Sequence, residues 1–135
     1  MKTEKTQPTV LDVGQCGVDH AAISTLLEQQ FMANVDRAHT ASEALRAMET
    51  RHYDLVLINR VFDRDGSRGL DLLRAIRQRP EFEPVPVMVV SNYPETQREA
   101  VAAGAVPGFG KAALEEPETL SCLEQVLRTA ESQTG

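Results

Sequence analysis

Along this chain, short runs of apolar residues alternate with stretches of helical periodicity. The clearest run is Leu55-Val56-Leu57-Ile58-Asn59, four apolar side chains that stop at an amide. So short and unbroken a run predicts a strand buried on both faces, as in a parallel sheet. Residues 85–90, ended by Ser91, form a second run, and Thr9–Val13, ended by Gly14-Gln15-Cys16-Gly17, a third. Residues 33–38 are less apolar and predict an edge strand. Residues 105–110 predict a short last strand, restricted to an edge because Pro107 has no N–H for a ladder.

Between the strands the period changes. Residues 18–30 predict a helix with Val18, Ala22, Ile23, Leu26 and Leu27 inward. Thr40-Ala41-Ser42-Glu43 is a capping box that opens a second helix with Ala44, Leu45 and Met48 inward. Leu70, Leu72, Leu73 and Ile76 mark a third, stopped before Pro80. A fourth spans 95–103 and closes at Gly104. Pro117 opens the last, with Leu120, Leu123, Val126 and Leu127 inward. Five strand–helix units predict an α/β domain, a doubly wound five-stranded parallel sheet with five helices in the flavodoxin-like order 2-1-3-4-5. One domain fills residues 1–135, with a core at about 8–130 and frayed termini. Ligands of such sheets sit beyond the carboxyl strand ends, a crevice lined here by Gly14, Gln15, Cys16, Asn59, Ser91 and Lys111.

Composition narrows the function. A formal net charge of −6 argues against direct nucleic-acid binding. Two distant cysteines, with no signal peptide and no run near the roughly 20 apolar residues of a membrane span, point to a cytoplasmic protein. His20, His39 and His52 show no metal-ligand spacing, and no Ser-His-Asp order or nucleophile elbow is present. Neither a metal nor a cofactor is expected.

Ser91 and Lys111, the latter in Gly108-Phe109-Gly110-Lys111 after Ala103-Gly104-Ala105, carry a resemblance. In order and spacing the chain resembles the receiver domain of two-component response regulators. That family carries an acidic pair after strand one, a phosphoacceptor aspartate after strand three, a Thr or Ser after strand four and a Lys after strand five, with Mg²⁺ held by the carboxylates. Here the acidic pair falls on Gly14 and Gln15, the phosphoacceptor on Asn59, and the switch aromatic on Gly108. An amide is not a carboxylate nucleophile, and Mg²⁺ prefers anionic oxygens. The resemblance therefore implies a pseudo-receiver, not an enzyme, that signals by protein–protein interaction with partners of a two-component or phosphorelay pathway. The alternative is a small-molecule or anion sensor using the degenerate phosphate pocket. Restoring all three carboxylates is expected to restore metal binding.

Other residues are candidates on their own account. Lys111 is a retained site cation, or else a residue bonded to Asn59 or a backbone carbonyl. The amides of Gly14-Gln15-Cys16-Gly17 could cradle an anion, and Cys16 could act as a redox thiol. Arg60, Arg64, Arg68, Arg74, Arg77 and Arg79 form either an acidic-partner surface or a solvated face. Asp12 is an anomaly, a carboxylate within the central strand, expected to be paired with backbone or hydroxyl donors or with Lys111.

Overall fold

A computed structural model describes residues 7–134. The expected fraying of residues 1–7 falls, except for Gln7, outside the described residues. The elements run β1 (Thr9–Val13), α1 (Gly17–Phe31), β2 (Asn34–Ala38), α2 (Ala41–Thr50), β3 (Leu55–Asn59), α3 (Gly69–Arg77), β4 (Val87–Val90), α4 (Pro94–Ala102) and α5 (Pro117–Thr134), with short 3-10 turns after α3 and before α5.

All ladders are parallel, in the order β2-β1-β3-β4. Because side chains alternate along a strand, the sheet feeds two cores. Leu11, Val13, Val56, Ile58, Val87 and Val89 pack with Ala44, Met48, Leu73, Ile76 and Ala100 of α2, α3 and α4. Val10, Leu55, Leu57, Met88 and Val90 pack with Ile23, Leu27, Leu123 and Leu127 of α1 and α5. The amphipathic reading of α1 needs one correction. Val18 is 79% exposed, and Ala22 is exposed too, so only Ile23 and Leu27 of the five are fully buried.

The expected fifth strand is the main departure: the sheet has four strands. Residues 105–110 run beside β4 but form no continuous ladder with it. Val106 N–H donates to Val87 O at 2.9 Å, Ser91 N–H donates to Phe109 O at 2.9 Å, and Val90 and Phe109 form an isolated parallel bridge. Pro107 supplies no N–H. At the next position a side chain takes over the ladder's work. Gln97 of α4 reaches between the segments, donating from Nε2 to Val89 O (2.8 Å) and accepting at Oε1 from Gly108 N–H (2.9 Å). Position 108 must be glycine for this to fit, because a Cβ there would overlap Val89 O and crowd Gln97 Oε1.

Gln97→Ala should therefore leave two half-buried backbone groups without partners and destabilise the domain by roughly 1–3 kcal/mol. A drop in the chemical denaturation midpoint, with amide exchange at Gly108 accelerated most, is the expected outcome.

Candidate functional site

The carboxyl ends of β1 and β3 lie side by side, which brings Gly14, Gln15 and Asn59 together as expected. What those residues do there is set by the loop after β3. Residues 60–69 close on themselves: Val61 and Arg68 form an antiparallel bridge, Phe62 N–H donates to Ser67 O (2.8 Å), and Gly69 N–H donates to Arg60 O (2.8 Å). Asp65 Oδ1 accepts from Ser67 N–H at 2.9 Å, an Asx turn whose N–H holds this exposed carboxyl below its usual range. The loop turns Phe62 inward, where it is 1% exposed. Its ring lies over Gly14, a residue with φ +83° whose Cβ, if it had one, would overlap the ring.

Asn59, only 7% exposed, spends its carboxamide on backbone. Nδ2 donates to Gly14 O at 3.0 Å and to Val61 O at 2.6 Å. Gly14 O also accepts Asp63 N–H at 2.9 Å, while Gly14 N–H donates to Ala38 O at 2.8 Å. The amides read as an anion cradle are thus partly consumed. Gln15 is enclosed, 1% exposed, with both amide atoms unpartnered.

Across the cleft Ser91 is buried at the end of β4, and its Oγ accepts Tyr93 N–H at 3.1 Å. A cavity of about 230 Å³ lies between Asn59, Ser91, Tyr93 and Lys111. Lys111 lines it but bonds to neither Asn59 nor a backbone carbonyl. Its Nζ pairs with Asp19 Oδ2 of α1 at 2.8 Å, and that ammonium is the main cause of the Asp19 carboxyl lying below its ordinary value. Cys16, half-buried, adds a smaller contribution from its thiol.

Five of the six arginines in the run have partners within the chain. Arg60 lies over the Tyr93 ring, 4.9 Å from its centroid. Arg64 approaches Glu43 at 3.9 Å and Arg74 approaches Asp71 at 3.8 Å. Arg79 pairs with Glu49 and Glu81. Arg77 is structural, its guanidinium donating to the carbonyls of Gly104, Phe82, Glu83 and Val85.

Asp12 is buried, but none of the partners expected for it is the one it has. Its Oδ2 lies 2.7 Å from His20 Nδ1, and His20 Nε2 lies 3.2 Å from Ser24 Oγ. The line Asp12–His20–Ser24 escaped the sequence reading because the order along the chain carries no known signature. The only available clue was the i, i+4 spacing of His20 and Ser24 beside an unexplained Asp12.

Comparison with known proteins agrees with this geometry. The profile of the family "Response regulator receiver domain" matches residues 18–124. The phosphate regulon transcriptional regulatory protein PhoB of Rhizobium meliloti (strain 1021) is 28% identical over 116 residues, covering 83% of this chain. The chain spans 50% of that relative's length. Among solved structures, a response regulator from Thermotoga maritima superposes with a TM-score of 0.73 at 29% identity, over 90% of this chain and 98% of that one. The chemotaxis response regulator CheY4 of Vibrio cholerae superposes with a TM-score of 0.71 at 23% identity, over 90% and 100%. The profile match over most of the chain, on a flavodoxin-like, CheY-like fold, places this chain in the response regulator receiver domain family of two-component signalling.

Proposed function

We propose that this receiver domain works without phosphorylation, as a protein-interaction module of a two-component or phosphorelay pathway. The observation that carries this reading is the carboxamide of Asn59, at the phosphoacceptor-equivalent position. Both of its hydrogens are committed to backbone carbonyls, and an amide cannot form an acyl phosphate.

The family's Mg²⁺ does not fit the residues present. At the acidic-pair-equivalent positions, Gly14 offers no side chain and its space is taken by Phe62, while Gln15 is enclosed. Neither these positions nor Asn59 supplies an anionic oxygen, which Mg²⁺ requires. Among the described residues, no group of three or more His, Cys, Asp or Glu is placed to hold a metal. Gly108, at the switch-aromatic-equivalent position, has no room for a side chain, which supports a readout that does not depend on an aromatic rotamer. This reading assigns the domain no catalysis, no cofactor and no direct contact with nucleic acid, and places it in the cytoplasm. No helix of the described residues is long and apolar enough to cross a membrane.

A sensor of small anions is the second reading, favoured by the cavity of about 230 Å³ beside Lys111. It has less support, because Lys111 is already neutralised by Asp19 and the Ser91 hydroxyl already accepts a backbone N–H.

Two measurements test the proposal. Intact-mass spectrometry after acetyl phosphate treatment with Mg²⁺ should show no added phosphoryl group on the wild type or on Asn59→Asp. In-line transfer needs metal neutralisation as well as a nucleophile, and a carboxylate at position 59 would face the two carbonyl oxygens that Asn59 now donates to. A phosphoryl adduct in this pocket of the wild type would overturn the reading.

Rebuilding the acidic pair should fail as well, contrary to the expectation from sequence. Gly14→Asp combines a left-handed backbone with overlap against Phe62, and should cost roughly 2–5 kcal/mol in chemical denaturation. Millimolar Mg²⁺ should not recover the loss.

A further inference from the structure

Among the described residues, only three buried side-chain atoms lack a hydrogen-bond partner: Asp12 Oδ1 and both amide atoms of Gln15. They belong to residues three apart at the end of β1. Asp12 is fully enclosed, 0% exposed, and faces the α1 and α5 layer with Val10. Its Oδ2 contacts His20 Nδ1 at 2.7 Å, and the other imidazole nitrogen contacts Ser24 Oγ at 3.2 Å. His20 is 20% exposed. A carboxylate without solvent contact is thus linked to the surface through one imidazole.

The same order of atoms serves serine nucleophiles, but this line is not built for acyl transfer. Ser24 sits in the middle of α1, where the neighbouring N–H groups are spent within the helix. No pair of donors is left to hold an oxyanion.

What remains is a proton site. With the carboxylate ionised and the imidazole neutral, Nδ1–H donates to Asp12, and Nε2 accepts the Ser24 hydroxyl hydrogen. One added proton makes the pair neutral overall. Carried by the Asp12 carboxyl, that proton is donated to Nδ1 of a neutral ring, whose hydrogen then sits on Nε2. Ser24 then changes from donor to acceptor. We propose that Asp12, His20 and Ser24 form a proton-responsive latch between β1 and α1, in which uptake of one proton removes net charge from the sheet core and seats the first turns of α1 more firmly.

The surroundings favour such a latch. Burial is the dominant influence on the Asp12 carboxyl and pushes it up to about 6, against partial lowering by the His20 ring and the Arg37 charge. From β2, Arg37 is the facing charge, its guanidinium held by Gln15 O at 3.2 Å. From β3 the neighbour is Leu57, and α5 contributes Leu123 and Leu127, all apolar. On α1, Asp19 precedes His20 and is engaged with Lys111.

The sign follows from linkage. The folded-state value lies above the ordinary 3.8. Between there and about 6 the folded domain keeps on Asp12 a proton that the same carboxyl releases in the unfolded chain. The contribution of this group is complete at the acidic end and is lost as pH rises through that window. Two measurements on the full chain test the latch. The first is carbon-13 titration of the Asp12 carboxyl. The second is hydrogen exchange of residues 17–24 between pH 7 and pH 4, compared with Asp12→Asn. The comparison cancels carboxyls such as Asp19 and Glu81, which lie below their usual values and lose stability on acidification. The Asp12 resonance should titrate well above the ordinary carboxylate range. The wild-type to variant ratio of α1 protection should rise by tenfold or more towards acid, a factor of ten for each unit of displacement. A ratio independent of pH, or an Asp12 resonance that titrates near the ordinary value, overturns the proposal. If Asp12→Asn does not fold, the carboxyl titration of the wild type decides it.

Discussion

The carbonyl oxygen of Gly14 is where the top of the sheet is closed. It accepts the Asn59 carboxamide from β3 and the Asp63 N–H from the loop beyond, while the Phe62 ring covers the same glycine. β1, β3 and the loop after β3 are thereby joined around one atom. Each contact presupposes the others: the loop's internal hydrogen bonds aim Phe62, Phe62 requires glycine beneath it, and the free carbonyl edge of that glycine takes the amide. In a receiver fold this is the region where charge would gather. Here it is occupied by an aromatic ring and neutral hydrogen bonds, a packing solution to what the family treats as an electrostatic one.

Two polar side chains enter the sheet, with opposite energetics. Gln97 brings one donor and one acceptor to two backbone groups that need them, and every atom of its amide finds a partner. Its burial is offset by the groups it satisfies. Asp12 brings a charge and finds a partner for one oxygen only. The first insertion stiffens the join between α4, β4 and the segment after it. The second leaves a local free-energy cost that depends on the proton concentration outside. Both are absent from the helical and strand periodicities, which record only burial.

That difference explains what was legible in the sequence. Leu55 to Asn59 and the run before Ser91 announced central strands because burial on two faces demands unbroken apolar side chains, and the sheet order followed from alternation. The last strand was overdrawn. Ala105, Val106 and Phe109 have the right polarity, but a ladder also needs N–H groups, and Pro107 together with the Gln97 insertion removes the middle of it. Asp12 was visible as an anomaly, since a carboxylate in a central strand needs a partner. Its partner was not visible, because His20 meets it only through the β1–α1 reversal. Lys111 was assigned to the cleft by its place in the order of strands. The carboxylate that claims it, Asp19, sits on the exposed first turn of α1, where no pattern marks it.

The irregular segment after α4 has a consequence for assembly. An open parallel sheet offers its outer strands to any extended peptide that can add to them, and proteins blunt such edges to avoid unwanted pairing. On the β4 side the carbonyls of Val87 and Val89 are already answered by Val106 N–H and the Gln97 amide, and Pro107 faces outward with nothing to donate. On the opposite side the edge strand β2 is five residues long and carries Asp36 and Arg37. Both margins are thereby blunted, and strand exchange between copies is disfavoured from both ends.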